Sequence, residues 1–510
     1  MGLLALKEDR PTPRAVYNWR VYAYASVASS ASCMIGYDSA FIGTTLALPS
    51  FADEFRFEEL DDSQLALTKA NIVSVYQAGA FFGTFFAYVA CFFLGRKKSL
   101  LIFSLVFLLG SGLMLGANGD RGLGLILGGR VLAGVSIGAC SMIVPICYYG
   151  LSENLPSSHK QWLIPFAVQF IPGGLLFLGS LWIKESPRWL FAMGKREEAI
   201  ANLCWIRKLQ PHDLYIAEEI SFMEDDLERY RTEVGAGFWK PFVLLKQREV
   251  QWRFFLGGML FLWQNGCGIN AINYYSPTIF ESIGIQGTSA GFLTTGIYGV
   301  IKTVTTFIWL LYLIDRMGRR NLLLVGAIGG SLSMWYIGIY IAIADPENHP
   351  SDHLSGAGTA AVFFFYLWTV FYTPSWNGTP WIINSEIFDQ NTRSLGQTSA
   401  AANNWLWNFI ISRFTPQMFL TMGFGVYMFF ASLMLLSAVF VYFLVPETKT
   451  IPLEAMDRLF EIKPVWKANE TVLTEIRARD EEFRRENAGG DVPLAKEKDD
   501  GDGLDQHESV

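Results

Sequence analysis

Within an apolar run from about residue 254 to residue 280, the sequence sets Gln264, Asn265, Asn270, Asn273, Tyr274 and Tyr275 beside Gly266 and Gly268. A run of that length crosses a bilayer, at roughly 20 residues per span. Carboxamides there find no partner in hydrocarbon, and a buried amide left unsatisfied is costly. They are therefore expected to face an internal aqueous cavity. Carboxamides both donate and accept, which suits a ligand rich in hydroxyls better than a simple ion. The two glycines let the helix bend or unwind beside such a ligand. The competing reading is helix–helix packing through small and polar residues. Asp38 and Arg130 are charges inside two other apolar runs. Isolated charges at membrane depth are expensive, so such residues pair or line water.

The elements that position these groups are membrane helices. The chain has 510 residues, of which 51% are hydrophobic, 15% aromatic and 17% charged. Mean hydropathy is positive. Repeated apolar runs of about 20 residues make this an all-α polytopic membrane protein. The net charge of −7 says little about partners, because much of the acid lies in the C-terminal tail. Six cysteines lie mostly within spans without a secreted framework, so no disulfide is implied. The five histidines (His159, His212, His349, His353, His507) fall in loops or the tail and show no metal-ligand spacing. No Gly-rich Lys-Ser/Thr phosphate loop occurs, and basic residues are few and dispersed. An enzyme, an ATP-driven pump, a bound cofactor or metal, and a nucleic-acid partner are accordingly not expected. The N-terminal residues 1–18 are charged and carry two prolines, so the first span is expected to act as its own insertion signal.

Spans are expected at about 21–48, 70–94, 99–117, 123–148, 161–183, 254–280, 290–313, 322–344, 359–385, 396–414 and 424–445, eleven in all. They organise the chain into an N-terminus (1–20), a first helix bundle (21–183), a linker (184–253), a six-helix bundle (254–445) and a tail (446–510). Amphipathic helices are expected in the linker at 195–209 and 213–231. The tail opens with a short amphipathic piece and becomes charged from about Arg479, so it is expected to be largely disordered. Basic residues gather at 96–98, in the linker, at 316–320 and at Arg393, whereas the loops at 49–68, 281–289, 345–358 and 415–423 nearly lack them. The basic loops and both termini are expected on the cytoplasmic side.

That orientation meets a parity problem. Between the basic loop at 96–98 and the linker lie three spans, an odd number, which would put the linker outside. The two halves show the same defect. Gly95-Arg96-Lys97 echoes Gly318-Arg319-Arg320, and Glu185 echoes Glu447. The first pair of landmarks is 90 residues apart and the second 129, a shortfall of 39, about one helix and a loop. One crossing of the first half is missing.

Asp315-Arg316-Met317-Gly318-Arg319-Arg320, Glu185-Ser186-Pro187-Arg188-Trp189, Pro446-Glu447-Thr448-Lys449 and the 264–275 stretch together resemble the sugar porter family of the major facilitator superfamily. The likeness runs from about Asn18 to Glu454. Segments 8–14, 36–45 and 375–381 are similar to fungal quinate permeases in particular. The resemblance implies two helix bundles, normally of twelve spans, in the plasma membrane. It places the gap after Ile146-Cys147, where a cytoplasmic loop and the fifth helix would follow, and matches 148–150 to the external end of that helix.

The resemblance also implies roles. Asp38 would be the protonation site and Arg130 the cation that holds its charged form. Gln264, Asn265, Asn270, Tyr274, Trp381 and Asn404 would bind the substrate, with Asn265 standing where many sugar porters carry a second glutamine. Glu185, Arg188, Asp315, Arg316, Arg319, Arg320, Glu386, Arg393 and Glu447 would form a cytoplasmic charge clasp of individually weak pairs. Phe92 stands where the clasp motif usually carries an acid or polar group. Quinate carries a carboxylate, for which Lys302, in mid-span, is a candidate partner; pairing or snorkelling is the competing reading. The function implied is proton-coupled import of quinate or a related polyhydroxylated carbocyclic acid or sugar by alternating access. The alternatives are a hexose–proton symporter and a truncated or sensing variant that does not transport.

Overall fold

The computed structural model describes residues 13–138, 163, 166–233, 235, 237–284, 288–346, 349, 355–388, 392–451 and 455–487. Helices dominate, and no strand occurs among the described residues. The first half contributes α1 (Trp19–Leu46), α2 (Asp62–Leu94), α3 (Arg96–Leu115), α4 (Gly124–Ile137) and α5 (Phe170–Trp182). The junction between α4 and α5, where the sequence places the missing helix, lies outside the described residues. The linker holds α6 (Pro187–Ala192), α7 (Arg196–Arg207) and α8 (Leu214–Glu233). The second half comprises α9 (Arg248–Gly266), α10 (Ile269–Ile283), α11 (Thr288–Ile308), α12 (Arg319–Ala344), α13 (Gly356–Tyr372), α14 (Thr379–Ile387), α15 (Arg393–Met422) and α16 (Gly425–Leu444). Helix α17 (Val465–Asn487) lies in the tail.

The described parts of the expected spans are largely helical, with 254–280 and 359–385 each divided between two helices and the ends of 123–148 and 161–183 lying partly outside the described residues. Among the described residues, five stretches are both long and apolar enough to cross a bilayer by composition: α2, α3, α12, α16 and Gly356–Ile387. Helices α1, α9 and α15 are as long but carry serines, glutamines and asparagines, which lowers their mean hydropathy. Gln264, Asn265, Asn408 and Ser412 among these are buried in protein.

Small residues set the closest approaches. A Cβ on Gly79 or Gly83 of α2 would collide with the backbone carbonyls of Val131 or Val135 in α4. One on Gly134 or Gly138 of α4 would collide with those of Tyr76 or Ala80. The two backbones therefore touch, as small-residue helix pairs do in membranes. This contact brings Arg130 under α1.

The halves pack through α2 against α15 and α1 against α10. Tyr274, Tyr275 and Trp405 of the second half belong to the buried core of the first. Spans of the two halves correspond in order, so α2 matches α11 and α15 matches a fifth helix of the first half. The symmetry mate of the α2–α15 contact would be α11 against that helix. Among the described residues α11 packs chiefly on α10, α13 and the π turns of its own half.

The tail differs from expectation. Residues 456–461 and 465–487 are helical where disorder was expected beyond 479. Ile451, Met456, Leu459, Ala468 and Val472 form a small core, and Arg458 pairs with Glu461 at 2.9 Å and Glu475 at 3.1 Å. The core lies in the amphipathic opening of the tail, as expected, and the helix runs on past Arg479 to Asn487. The Arg458 hydrogen bond holds the Glu475 carboxyl below its ordinary range.

Candidate functional site

The stretch 254–280 is a broken helix. α9 ends at Gly266, α10 begins at Ile269, and Gly268 between them has a φ of +86°. A side chain is strained in that left-handed conformation, so the break requires glycine. A second irregularity follows at Tyr275, whose φ and ψ of −124° and 22° interrupt α10. Opposite, residues 373–377 form a π turn between α13 and α14. Irregular backbone at membrane depth is tolerated where it lines a cavity or is buried in protein.

The break turns the carboxamides toward one another. The Asn265 amide donates to Phe261 O at 2.8 Å and Asn404 Oδ1 at 3.3 Å, while the Asn270 amide donates to Asn265 Oδ1. Gln264 Nε2 donates to Trp376 O and Asn377 O, at 2.8 and 2.9 Å, in the π turn. Those two carbonyls fix the orientation of the amide, because only its nitrogen can donate. Its oxygen is buried and finds no hydrogen-bond partner among the described residues. Tyr372 faces both Gln264 and Tyr298. Trp381, two residues into α14, sets its ring edge-on to Phe261 at 4.6 Å. Of the six expected substrate residues, Asn265, Asn270 and Asn404 are thus directly joined, and Gln264 reaches the turn that precedes Trp381.

Tyr274 points elsewhere. With the Gln77 nitrogen facing the Val73 and Ser74 carbonyls, the Gln77 oxygen accepts from Tyr274 Oη at 3.0 Å. This bond links α10 to α2 across the halves. Sequence reasoning missed Gln77; a carboxamide inside the α2 span was the available signal. Asn273 was noticed only as part of the polar run. Its oxygen accepts from Tyr298 Oη at 2.8 Å and Lys302 Nζ at 3.4 Å, both on α11.

Asp38 and Arg130, 92 residues apart, meet at 3.0 Å with both side chains fully buried. Arg130 Nε donates to Ile72 O at 2.6 Å, and the guanidinium lies 5.0 Å from the Tyr76 ring centroid. Asp38 Oδ2 and Arg130 Nη2 have no hydrogen-bond partner among the described residues. One hydrogen bond therefore joins the pair where a guanidinium and a carboxylate could form two. Such a pair can be separated more readily than a bidentate one.

At the end of the bundle carrying the basic loops, the echoed landmarks adopt echoed geometry. Glu185 accepts from the backbone N–H groups of Arg96 (2.9 Å) and Lys97 (3.1 Å) at the start of α3. Glu447 accepts from those of Arg319 (2.9 Å) and Arg320 (3.1 Å) at the start of α12. The preceding Gly95 and Gly318 have φ values of +85° and +83°, and a Cβ at either would meet the glutamate. These acids were expected in side-chain pairs. The structure has them capping helix N-termini, where unpaired N–H groups and the helix dipole favour a carboxylate.

Arg319 pairs with Glu386 at 3.0 Å, and Glu386 also accepts from Thr448 Oγ1 at 2.6 Å. Arg320 donates to Tyr442 O at 2.9 Å, and Lys449 Nζ to the Arg316 carbonyl at 3.0 Å. Arg188 follows Pro187 at the start of α6. The side chains of Asp315 and Arg393 lie outside the described residues. Phe92 joins Phe93 and Phe238 in an aromatic cluster, and its carbonyl accepts from Trp189 Nε1 at 3.0 Å.

The family profile "Sugar (and other) transporter" matches residues 24–153 and 146–460, nearly the whole chain. The chain belongs to the sugar transporter family. Members of this family are transporters, not enzymes. The MFS-type transporter qa-x of Neurospora crassa is 64% identical over 93% of this chain and 95% of its own length. A protein named quinate permease in Neurospora terricola is equally similar, and a probable quinate permease of Aspergillus flavus is 58% identical over 95% of this chain and 96% of its own. The proton:xylose symporter XylE, solved with 6-bromo-6-deoxy-D-glucose, superposes with a TM-score of 0.68 at 24% identity, covering 86% of this chain and 99% of XylE. That likeness gives the major facilitator fold. This sugar-transporter chain is therefore an integral membrane transporter of the sugar porter type.

The family match comes in two pieces that overlap at 146–153. The alignment with the N. crassa relative runs over 510 residues, whereas 93% of this 510-residue chain is about 474. The relative thus carries about 36 residues opposite nothing in this chain.

Proposed function

We propose that this protein is a proton-coupled importer of quinate, working by alternating access in the plasma membrane with both termini cytoplasmic. The observation that carries the reading is the broken α9–α10 helix. It gathers Asn265, Asn270 and Asn404 and leaves the Gln264 oxygen buried without a donor among the described residues. A ring hydroxyl would supply that donor. Asp38 and Arg130 form the coupling device. A proton on Asp38 removes its charge, loosens its hold on Arg130 and favours the substrate-loaded conformation. The names borne by relatives at 58–64% identity support quinate as cargo.

We also propose that one crossing of the first half, between α4 and α5, is absent from this chain. Four observations support this: the charge parity, the 39-residue shortfall between echoed landmarks, the divided family match and the residues unmatched in the N. crassa relative. An even number of crossings between the basic loop at 96–98 and the linker restores both to one side. A five-helix half leaves α11 without the contact that α2 makes with α15, so the cavity cannot close normally. The test is uptake of labelled quinate at pH 5 and pH 7 in cells lacking their own permease. The chain as it stands should take up little, and the chain with a fifth helix grafted after Ile146 should show saturable, acid-stimulated uptake. No uptake by either, with protein in the membrane, would overturn the transport reading. Full uptake by the ungrafted chain would overturn the missing crossing.

A further inference from the structure

Among the described residues, Arg130 and Lys302 are cations near mid-span, and they are treated differently. Arg130 has Asp38. Lys302 forms no ion pair with any carboxylate among the described residues. Its hydrogen bond to Asn273 Oδ1, at 3.4 Å, is long and shared with the Tyr298 hydroxyl. Its ammonium lies 5.8 Å from the Tyr298 ring centroid.

Position decides what this lysine can do. Along α11 and the π turn that continues it, Tyr298, half-buried Lys302, Thr305 and Trp309 recur at helical spacing on one stripe, where Tyr298, Thr305 and Trp309 are buried. Ile297, Val300, Val304 and Phe307 form the exposed face. Lys302 sits 14 residues after the start of α11 and 15 before Met317, where the helical segment ends. At about 1.5 Å per residue, on the order of 20 Å of helix separates it from either end. A four-carbon stem cannot carry the ammonium that distance, so snorkelling to the interface is excluded.

Pairing within the protein is equally poor. Asn273 offers a neutral oxygen already occupied by a phenol, and Tyr298 offers a ring face. Neither removes the cost of a charge in a medium of low dielectric. The surroundings do connect to the carboxamide site. Asn273 lies one helical turn after Asn270, and Tyr372 faces both Tyr298 and Gln264. An orphan acceptor on Gln264 and an uncompensated cation on Lys302 thus border the same broken helix.

We infer that Lys302 binds the carboxylate of the cargo, so that the site selects an anionic polyhydroxylated ring over a neutral one. This rests on the transport reading above and narrows its substrate class. Gln264 and the asparagines read hydroxyls, and Lys302 reads charge. Asn273 and Tyr298 are positioning residues that hold the ammonium when cargo is absent. Every residue in this assignment lies in the complete second half, so binding can be measured on the chain as it stands.

The test is equilibrium binding of labelled quinate to the purified full chain at pH 7, with competition by unlabelled quinate and by its methyl ester. The ester keeps the ring and hydroxyls but lacks the charge. A charge-assisted hydrogen bond in a desolvated site should make quinate the better competitor by tenfold or more. Lys302→Gln should erase that preference by weakening quinate alone, and Lys302→Arg should retain most of it.

Equal competition by quinate and ester in the unaltered chain overturns the inference without any variant. So does a preference that survives Lys302→Gln. In both cases the reading as a quinate transporter stands. Binding of the ester without binding of quinate, or of neither, overturns that reading as well.

Discussion

Replacing Asp38 separates stability from proton response. In Asp38→Ala the fully buried Arg130 guanidinium loses its carboxylate and keeps only the Ile72 carbonyl and the Tyr76 ring. Removing one partner of a buried pair costs about 3–5 kcal/mol, because the remaining charge is uncompensated. Asp38→Asn retains an oxygen where Arg130 Nη1 donates at 3.0 Å. A hydrogen bond to a charged group contributes about 1.5–3 kcal/mol, so the asparagine should recover roughly half of the loss. Thermal unfolding of the purified protein should therefore rank unaltered above Asn above Ala. Response to protons should not follow that order. Quinate affinity in the unaltered protein should rise on acidification from pH 7 to pH 5, because protonating Asp38 favours the loaded conformation. In both variants it should be flat with pH. Acid-enhanced binding that persists in Asp38→Asn would refute the assignment of Asp38 as the coupling group. Equal stability of the two variants would refute the claim that Arg130 depends on an acceptor at that position.

The remaining expectations concern other contacts. Gln264→Ala removes both the buried orphan oxygen and the two bonds to the π turn, and should weaken quinate binding at least tenfold, measured by the same binding assay. Glu447→Ala leaves the α12 N-terminus uncapped and should lower stability by about 1 kcal/mol, within the usual range for a lost cap and read by thermal unfolding. Gly83→Leu forces α2 and α4 apart at Val135, and should abolish pH-dependent binding by moving Arg130 relative to Asp38.

Much of this arrangement is legible in the sequence, for identifiable reasons. Apolar runs of bilayer length locate the membrane helices because hydrocarbon tolerates little else, and among the described residues five of them are long and apolar enough to cross. The break in 254–280 is suggested by Gly266 and Gly268 beside the carboxamides, although small and polar residues also serve helix packing, and the φ of +86° at Gly268 decides between the two. The echo of Gly95 and Glu185 in Gly318 and Glu447 marks a repeated cap, although its mechanism is not visible. A glutamate after a span looks like a partner for the nearby arginines, and only the fold shows it bound to their backbone N–H groups. The Asp38–Arg130 pair, 92 residues apart, enters through the family resemblance and not through any local pattern. Gln77 eluded the reading because one carboxamide in a long apolar helix is a weak signal without its partner, Tyr274. The amphipathic opening of the tail is legible in the apolar residues at helical spacing that pack into its small core, whereas the run of helix past Arg479, to Asn487, is not.

The central claim, proton-coupled carriage of an organic anion, has a direct electrical consequence. One quinate anion moving with one proton transfers no net charge, whereas a neutral sugar moving with one proton transfers one. The decisive measurement is labelled quinate uptake into vesicles holding the protein with a fifth helix grafted after Ile146. It compares an imposed pH gradient at zero membrane potential with an imposed potential at equal pH. Accumulation driven by the pH gradient alone is the expected result. Accumulation driven by the potential at equal pH, or by neither, would contradict the account.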